Sequence, residues 1–522
     1  MQTSDSLPAI DSSAPRLSFP LGALCGLVSV GAALAVAHLV ATFTGPSGSP
    51  VVAVGAAFID LTPAWLKEFA ISTFGTNDKA VLLGSVAAVL AVLSALCGVL
   101  ARRSRRLGSL AVVLVGLIAA TAAASRPDST IADALPALVG SLVGAGTLWW
   151  LTRPQVTDGS AGQATGPARR SVLLASAAIA GGAVIAVTAA NVVGGRLRNV
   201  DAARAAVRLP TPVDPAMALT DAVDVRVDGV SPFRVPNGDF YRVDTALVVP
   251  AIKPSDWQLS VGGLVDRPYT LSYAGLLAMP MIERDLTLTC VSNEVGGQYV
   301  GNAVWLGVRL ADLLDRAGIQ PGADQLISRS ADGWTAGTPM GVATDSGRDA
   351  IVAVAMNGEP LPAEHGFPAR MVVPGLYGYV SATKWLVSLA ATTYAREQAY
   401  WTARGWATEG PVRTMARIEV PRPLSTVTAG AIAIAGTAWA QHRGIEGVEV
   451  QVDDEAWGKA RLGDVPSADT WRQWWIPWNA KPGRHTIRAR ATDATGQIQP
   501  EARLTPFPSG AQGWHEVVVT VK

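Results

Sequence analysis

The chain has 522 residues, a formal net charge of +1, 49% hydrophobic residues and 16% charged residues. This charge balance gives no reason to expect a nucleic-acid partner. The length predicts two or three folding units. Most of the apolar residues precede residue 195, which indicates a membrane region followed by a more polar one.

The first 195 residues contain five stretches that are long and apolar enough to cross a bilayer, because about 30 Å of hydrocarbon requires about 20 helical residues. We therefore predict an all-α transmembrane bundle in residues 1–195. Cys25 and Cys97 fall inside the first two stretches, where we expect small packing residues. The predicted spans are residues 17–43, 81–100, 107–124, 131–151 and 172–190.

Arginine placement predicts the orientation of this bundle. The sequence "ARRSRRL" joins the second and third spans, and "GPARR" precedes the fifth, whereas the loops at 44–80 and 125–130 carry few basic residues. The positive-inside rule then places the N-terminus in the cytoplasm. With five spans, everything after residue 195 lies outside a cell membrane that the chain crosses several times.

The exported part divides into a polar linker at residues 196–215 and two further domains. Between 216 and 405, short strand-like runs mix with helical ones without regular βαβ alternation, which predicts an α+β domain. The specific predictions are a strand in residues 256–265, helices in 270–280 and 308–318, and a strand and turn in "RMVVPGLYGYV".

From residue 406 to 522 the helical pattern is absent. Alternating runs such as "GVEVQVDD", "HTIRARATD" and "WHEVVVTVK" are separated by Gly, Pro and Asp turns. This pattern predicts a small β-sandwich.

Cys290, in "LTLTCVSNEVGG", is the only cysteine after Cys97. It is either a buried packing residue or a ligand. A nucleophile would require a base nearby, and none of the four histidines that follow residue 195 lies in a cysteine-hydrolase signature. Zinc-site spacings and the CxxCH haem motif do not occur. A single thiolate can also bind a metal whose other ligands come from an organic cofactor.

A second segment could hold such a cofactor. "MNGEPLPAEHGFPARMVVPGLYGYVSATKWL", residues 356–386, places His365, Arg370 and Lys384 among glycines and prolines. Arginine and lysine bind phosphate, and tight turns let main-chain N–H groups approach an anion. On these residues alone, a solvated surface loop remains the alternative.

These two segments resemble the sulfite oxidase family of molybdenum-cofactor oxidoreductases. "MNGEPLP..HGFPAR..VPG" followed by "KWL" is a specific stretch of that family, and "TLTCVSN" is similar to the segment that carries its molybdenum-binding cysteine. The resemblance covers residues 239–390. The tail at 406–522 is similar to the Ig-like dimerisation domain of many members, and the membrane region resembles a membrane-anchored bacterial subgroup.

The resemblance implies a molybdenum–molybdopterin cofactor in an α+β sulfite-oxidase-like domain at 216–405. It implies that Cys290 ligates the metal and that Cys290 and Arg242 are the catalytic residues. "GDFYRVDTAL" is similar to the family's first pterin-contacting segment. The implied cofactor-binding residues are Tyr241, Arg242, Cys290, Ser330, His365, Arg370, Ser381, Thr383 and Lys384.

The sequence departs from the family's pattern after the cysteine. Sulfite-oxidising members typically read C-A-G-N-R-R, whereas this chain has Glu294 where an arginine is expected. An acidic residue there disfavours a dianionic substrate such as sulfite. The family's haem domain and its metal-site tyrosine have no match either.

Several functions therefore stay open. The small substrate could be a sulfite-like molecule, an S-oxide or an N-oxide, and the enzyme could instead be a sulfoxide-type reductase. A non-catalytic membrane receptor with a partner-binding β-sandwich is the rival from another class.

The resemblance also implies partners. Electrons would leave to a separate cytochrome or quinone, a homodimer could form through the Ig-like domain, and the spans would contact lipid.

Arg169 and Arg170 begin "RRSVLL", and twin arginines ahead of an apolar segment are an export signal for folded proteins. We therefore predict twin-arginine translocation of the fifth span.

Overall fold

The computed structural model describes residues 17–45, 48–63, 66, 73, 78–125, 129–153 and 167–522. It divides into two compact units, Met1–Asn199 and Val200–Lys522. Each unit is described here by itself.

The first unit is helical. Within the described residues, five helices are long and apolar enough to cross a membrane, which is the predicted number. A shorter apolar helix, Pro50–Ile59, lies outside the predicted spans. The five candidate spans are Phe19–Thr44, Val81–Ala101, Arg105–Ala124, Ile131–Leu151 and Arg170–Ala205.

Small residues bring the first two long helices together. A Cβ atom on Gly26 would lie only 2.0 Å from the main-chain oxygen of Ser94, and one on Gly98 would lie 2.0 Å from that of Gly22. Glycine at these positions allows close helix packing, which is the usual basis of helix association in lipid. Cys25 is fully buried and Cys97 is nearly so, in the same apolar cluster.

All of the second unit is described. It begins with two β-sheets, the first mixed and the second antiparallel. One has the strand order β2-β1-β10-β5-β6, and the other has the order β3-β4-β7-β8 with β9 beside β7. Only the β1–β10 pair is parallel in the first sheet. These strands are β1 Gln258–Gly263, β2 Tyr269–Ser272, β3 Ile282–Thr289, β4 Val300–Arg309, β5 Gln325–Ser330, β6 Thr335–Pro339, β7 Ile351–Met356, β8 Glu359–Pro360, β9 Arg370–Val372 and β10 Leu386–Thr392.

Short helices connect these strands, as an α+β domain requires. Leu310–Ala317 forms within the predicted 308–318 and ends at Gly318, whose φ of +69° suits glycine. The helix predicted at 270–280 is shorter: Tyr269–Ser272 pairs as strand β2, and Tyr273–Leu277 follows with Ser272 as its N-cap. The segment after β9 forms a turn and the short helix Gly378–Ser381.

Two further sheets occupy the end of the chain. The strand orders are β11-β13-β17-β16 and β12-β19-β18-β14-β15. Both sheets contribute residues to one apolar cluster, including Ile418 and Ile434 from one sheet and Ile487 and Val519 from the other. The strands are β11 Met415–Val420, β12 Thr426–Val427, β13 Gly430–Trp439, β14 Ile445–Val452, β15 Gly458–Lys459, β16 Arg461–Leu462, β17 Arg472–Ala480, β18 Gly483–Asp493 and β19 His515–Val521.

The segment predicted as a linker is partly structured. Helix Pro167–Arg198 extends into it, and a one-turn helix, Asp201–Ala205, follows. Asp214 then pairs with Ile282 as a parallel bridge and accepts hydrogen bonds from Arg284 and Arg309. Residues 200–215 are therefore bonded into the second unit.

Candidate molybdenum-cofactor site

Cys290 directly follows strand β3. Its main-chain N–H donates to the oxygen of Tyr299 at 2.9 Å, which closes a short loop between β3 and β4. The Cys290 Sγ lies 2.9 Å from the Ser292 hydroxyl, and the residue is half-buried. Burial raises the pKa of the thiol, and the Ser292 hydrogen bond opposes that rise. The thiol is therefore held at a fixed place by its loop and by Ser292.

His365 and Arg370 are brought together by a short 3₁₀ turn and strand β9. The His365 Nε2 lies 3.1 Å from the main-chain oxygen of Asn237, so that nitrogen carries the proton. Burial and the charge of Arg370 lower the pKa of His365 to about 4. The ring is neutral at pH 7, and its other nitrogen is an acceptor.

Arg370 is a buried cation with spare hydrogen-bonding capacity. Its side chain is 3% exposed, and its guanidinium lies 5.0 Å from the centre of the Trp305 ring. One nitrogen, Nη1, donates to the main-chain oxygen of His365 at 3.1 Å, while Nε has no partner among the described residues. Burial lowers the pKa of Arg370 to about 10. Buried charges normally have a counter-ion, and this arrangement leaves room for an anionic one.

Lys384 is held by a carboxylate from the other side of the pocket. Its Nζ donates to Asp244 Oδ2 and to the main-chain oxygen of Glu364, each at 3.0 Å. Arg242 Nε donates to the same Asp244 oxygen at 2.8 Å, but the Arg242 side chain is far more exposed. Burial lowers the pKa of Lys384 to about 8, although Asp244 opposes that shift.

Tyr241 lies close enough to both Cys290 and Arg370 for their charges to affect it. It stacks on Phe240 with ring centres 5.2 Å apart, and its ring centre is 6.3 Å from that of Tyr299. Burial raises the pKa of the Tyr241 hydroxyl, and the nearby Cys290 adds to the rise while Arg370 opposes it. The segments around 241, 290 and 370 therefore meet in one pocket.

The three predicted hydroxyl residues are buried, and their hydroxyl groups have protein partners. Ser381 donates to the main-chain oxygens of Leu376 and Tyr377, and Thr383 lies 2.6 Å from the hydroxyl of Ser328. Ser330 ends strand β5 and accepts from the N–H of the residue two positions later in the turn. Their contact with a cofactor remains a prediction. The hydrogen bonds of Ser330 and Ser381 are local, whereas that of Thr383 joins its segment to strand β5.

Two residues that sequence reasoning missed hold the pocket together. Asp244 accepts hydrogen bonds from both Arg242 and Lys384, and Asn237 supplies the main-chain oxygen that orients His365. Asp244 stands two residues after Arg242, but nothing in the sequence relates it to Lys384. These contacts depend on the fold.

The pocket fits a metal held mainly by an organic anion. Within the described residues, no group of three or more His, Cys, Asp or Glu side chains could hold a metal ion. A lone thiolate therefore needs non-protein ligands, and the free Nε of buried Arg370 suits a phosphate.

Comparisons with known proteins identify the class of domain to which this part of the chain belongs. The family model described as oxidoreductase molybdopterin binding domain matches residues 246–401. The uncharacterized oxidoreductase YuiH of Bacillus subtilis is 37% identical over 154 residues, which are 30% of this chain and 74% of YuiH. Mitochondrial sulfite oxidase of Drosophila melanogaster is 29% identical over 324 residues, 52% of this chain and 56% of that protein. The NADH nitrate reductase of Solanum lycopersicum is 34% identical over 178 residues, 29% of this chain and 19% of the reductase.

The family-model match makes residues 246–401, which include the mixed and the antiparallel sheet, a molybdopterin-binding domain. The chain belongs to the sulfite oxidase family of molybdopterin-dependent oxidoreductases. It spans 56% of the length of the fruit-fly sulfite oxidase and 74% of the length of YuiH.

Proposed function

We propose that this chain is a membrane-anchored oxidoreductase that uses a molybdenum–molybdopterin cofactor for oxygen-atom transfer on a small substrate outside the cytoplasm. The observation that carries the proposal is the proximity of three segments. The Tyr241 ring lies 6.3 Å from that of Tyr299, whose main-chain oxygen accepts from the Cys290 N–H. The neighbouring Phe240 ring lies 5.7 Å from that of His365, to which the buried Arg370 donates. The five apolar helices support the membrane anchor. The arginines of residues 101–107 support an outward-facing second unit.

Each residue has a role that its surroundings favour. Cys290 would bind the metal as a thiolate, and Arg370 would bind the cofactor's phosphate with its free Nε. The neutral His365 would accept a hydrogen bond from the pterin. Lys384 adds positive charge beside Asp244. When bound, the cofactor supplies two-electron redox chemistry, and the protein positions it and controls access to it.

The charges around the pocket favour substrates without two negative charges. Arg242, the most exposed cation of the pocket, is paired with Asp244, and Glu294 is exposed four residues after Cys290. Both features reduce the attraction for a dianion such as sulfite. An S-oxide or N-oxide reductase is therefore the second candidate. One of the similar proteins is named a nitrate reductase, which also favours it.

Two further parts of the proposal concern partners. Electrons would pass to or from a separate carrier, a cytochrome or a quinone, one at a time. The two packed sheets at the end of the chain would form an Ig-like domain of the dimerising type, and their shared apolar cluster supports a sandwich.

Metal analysis of the purified full chain tests the proposal. Wild type produced in a host that makes the cofactor should contain about one molybdenum per chain, and Cys290→Ser should alter the Mo(V) EPR signal, because the metal loses its protein sulfur ligand while the organic cofactor still holds it. Cys25→Ser is the matched control, because Cys25 is buried among the membrane helices and should leave the metal content unchanged. Metal-free wild type, or a Cys290→Ser variant with the wild-type Mo(V) EPR signal, would contradict the assignment.

A further inference from the structure

The strand that leads to Cys290 lies at the edge of its sheet. Strand β3 pairs only with β4 within that sheet, so its outer N–H and C=O groups require other partners. At the start of β3 Asp214 supplies them, because its main-chain oxygen accepts from the Glu283 N–H. Near Cys290 the terminal β-rich region supplies them: the Thr287 N–H donates to the oxygen of Asp469 at 3.0 Å. The N–H of Trp471 donates to the Thr287 hydroxyl at 2.7 Å. The terminal region thus covers the edge next to the thiol.

Gln441 makes the contact nearest to Cys290 on this edge. Its Nε2 donates to the main-chain oxygen of Thr287 at 3.2 Å and to the Thr289 hydroxyl at 2.7 Å. Thr289 directly precedes Cys290, and both Gln441 and Thr289 are buried. A buried amide with two acceptors on one strand fixes that strand's position, because losing either bond leaves a buried polar group unpaired.

The other end of the loop is held from the same region. Arg417 Nη1 donates to the main-chain oxygen of Gly297 at 2.9 Å, and Glu419 pairs with Arg417. Gly296 has a φ of +80°, and a Cβ atom there would lie 2.1 Å from Nε2 of His515. His515 is itself fixed, because its Nδ1 accepts from the N–H of Ile418 at 2.9 Å.

The loop between these two points is internally bonded, so it transmits displacements. The Asn293 N–H donates to the oxygen of Cys290 at 3.1 Å, and the Asn293 side chain accepts from the N–H of Tyr299 at 2.8 Å. A shift of either end would therefore move the thiol.

We propose that Gln441, Arg417 and His515 are positioning residues for Cys290, so that the terminal β-rich region sets the geometry of the metal-binding thiol. This inference rests on the proposed function. It gives that region a role in the site within a single chain, separate from any role in dimerisation.

Gln441→Met in the full, metal-loaded chain tests the inference. Methionine has nearly the same volume but donates no hydrogen bond, so the Thr287–Thr289 edge loses both contacts. We expect a changed Mo(V) EPR spectrum, in g values or linewidth, because the thiolate's orientation changes. Hydrogen exchange in the peptide 286–297 should become about fivefold faster.

Gln499→Met is the matched control. Gln499 and Gln441 are each 1% exposed. Gln499 also lies in the terminal region, but the hydrogen bonds of its side-chain amide reach residues of that region, namely Met415, Ala416, Ala491 and Gly513. It should lower the thermal midpoint without altering the EPR spectrum or the exchange of 286–297. An unchanged spectrum and unchanged exchange in Gln441→Met would overturn the inference.

A second pair of variants decides the matter if Gln441→Met does not fold. Thr289→Val removes the hydroxyl that Gln441 reaches and preserves the side-chain shape, whereas Thr289→Ser retains the hydroxyl. We expect the altered spectrum and faster exchange in the valine variant and wild-type behaviour in the serine variant. Identical behaviour of the two would contradict the positioning role. Wild type without molybdenum would instead contradict the proposed function, while the exchange measurement still reports on the contacts of Gln441.

Discussion

The ammonium group of Lys384 donates to the Asp244 carboxylate at 3.0 Å and joins two segments that are 140 residues apart. Arg242 binds the same carboxylate oxygen. Two cations thus share one anion, and the pocket keeps a net positive charge for an anionic cofactor. The carboxylate also reduces the pull of Arg242 on an anionic substrate. The first two predictions follow from this arrangement.

Asp244→Asn should favour anionic substrates. The change releases Arg242 from its partner, so kcat/KM for sulfite should rise roughly three- to tenfold, mainly through a lower KM. The value for an uncharged sulfoxide should change little. Steady-state kinetics should be measured at about pH 6.5. Lys384 stays protonated at that pH even though its pKa falls when Asp244 is lost. Asp239→Asn, at an exposed position nearby in sequence, is the control. Equal effects on both substrates would contradict the electrostatic explanation.

Cofactor retention should weaken as the pH rises above about 8. Burial lowers the pKa of Lys384 from its ordinary value of 10.5 to about 8 in the empty pocket, and a bound phosphate would raise it again. Binding therefore takes up a proton above pH 8, and the affinity should fall by up to about tenfold per pH unit between about pH 8 and 10. Molybdenum that remains after dialysis at a series of pH values measures this.

The same lysine affects the stability of the cofactor-free protein with the opposite sign. Because the folded pKa lies below the unfolded one, the unfolded chain binds more protons, and stability should rise as the pH rises from about 8 to about 10.5. Lys384→Arg keeps its charge throughout this range and should flatten both pH profiles. Unaltered profiles in that variant would exclude Lys384 as the titrating group.

Gly296→Ala should disturb the cysteine loop more than a comparable glycine substitution elsewhere. Gly296 and Gly322 both have positive φ, at +80° and +94°, so alanine costs about 1 kcal/mol at either position. At Gly322 a Cβ atom meets nothing within 4 Å, whereas at Gly296 it meets the His515 ring. Overpacking there should add about 1–3 kcal/mol.

Thermal unfolding and molybdenum content measure this difference. The Gly296→Ala variant should unfold several degrees below Gly322→Ala and lose part of its metal, while Gly322→Ala should retain it. Equal midpoints in the two variants would show that the loop moves away from His515 without cost.

Replacement of Arg169 and Arg170 by lysine should trap the second unit in the cytoplasm. The twin-arginine pathway reads the arginine pair itself, whereas the positive-inside rule requires only positive charge. Arg170 lies in the first turn of helix Pro167–Arg198, and the side chain of Arg169 lies outside the described part of the chain. Protease accessibility of the second unit in spheroplasts measures export. Arg102→Lys with Arg103→Lys is the control and should leave it normal. Full export of the Arg169/Arg170 variant would contradict the prediction.

Local sequence pattern predicted the elements best where one physical signal dominates. Continuous apolar length identified five helices within the described residues, and strict alternation identified β14, β18 and β19. The prediction at 270–280 overextended a helix, because Tyr269–Ser272 pairs with β1, a long-range contact that helix propensity does not report. Residues 196–215 were predicted as a linker, because their hydrogen bonds to Arg284 and Arg309 are also long-range.

By itself, the sequence determined the family and the candidate residues: the lone Cys290 and the segment with His365, Arg370 and Lys384 are local patterns of residue type and spacing. Only the tertiary structure decided how these residues are held. Asp244 reaches Lys384, and Gln441 reaches Thr289, across 140 and 152 residues. Such contacts arise when sheets pack together and edge strands gain hydrogen-bond partners. Local residue spacing does not encode which distant polar group will bond to a given donor or acceptor.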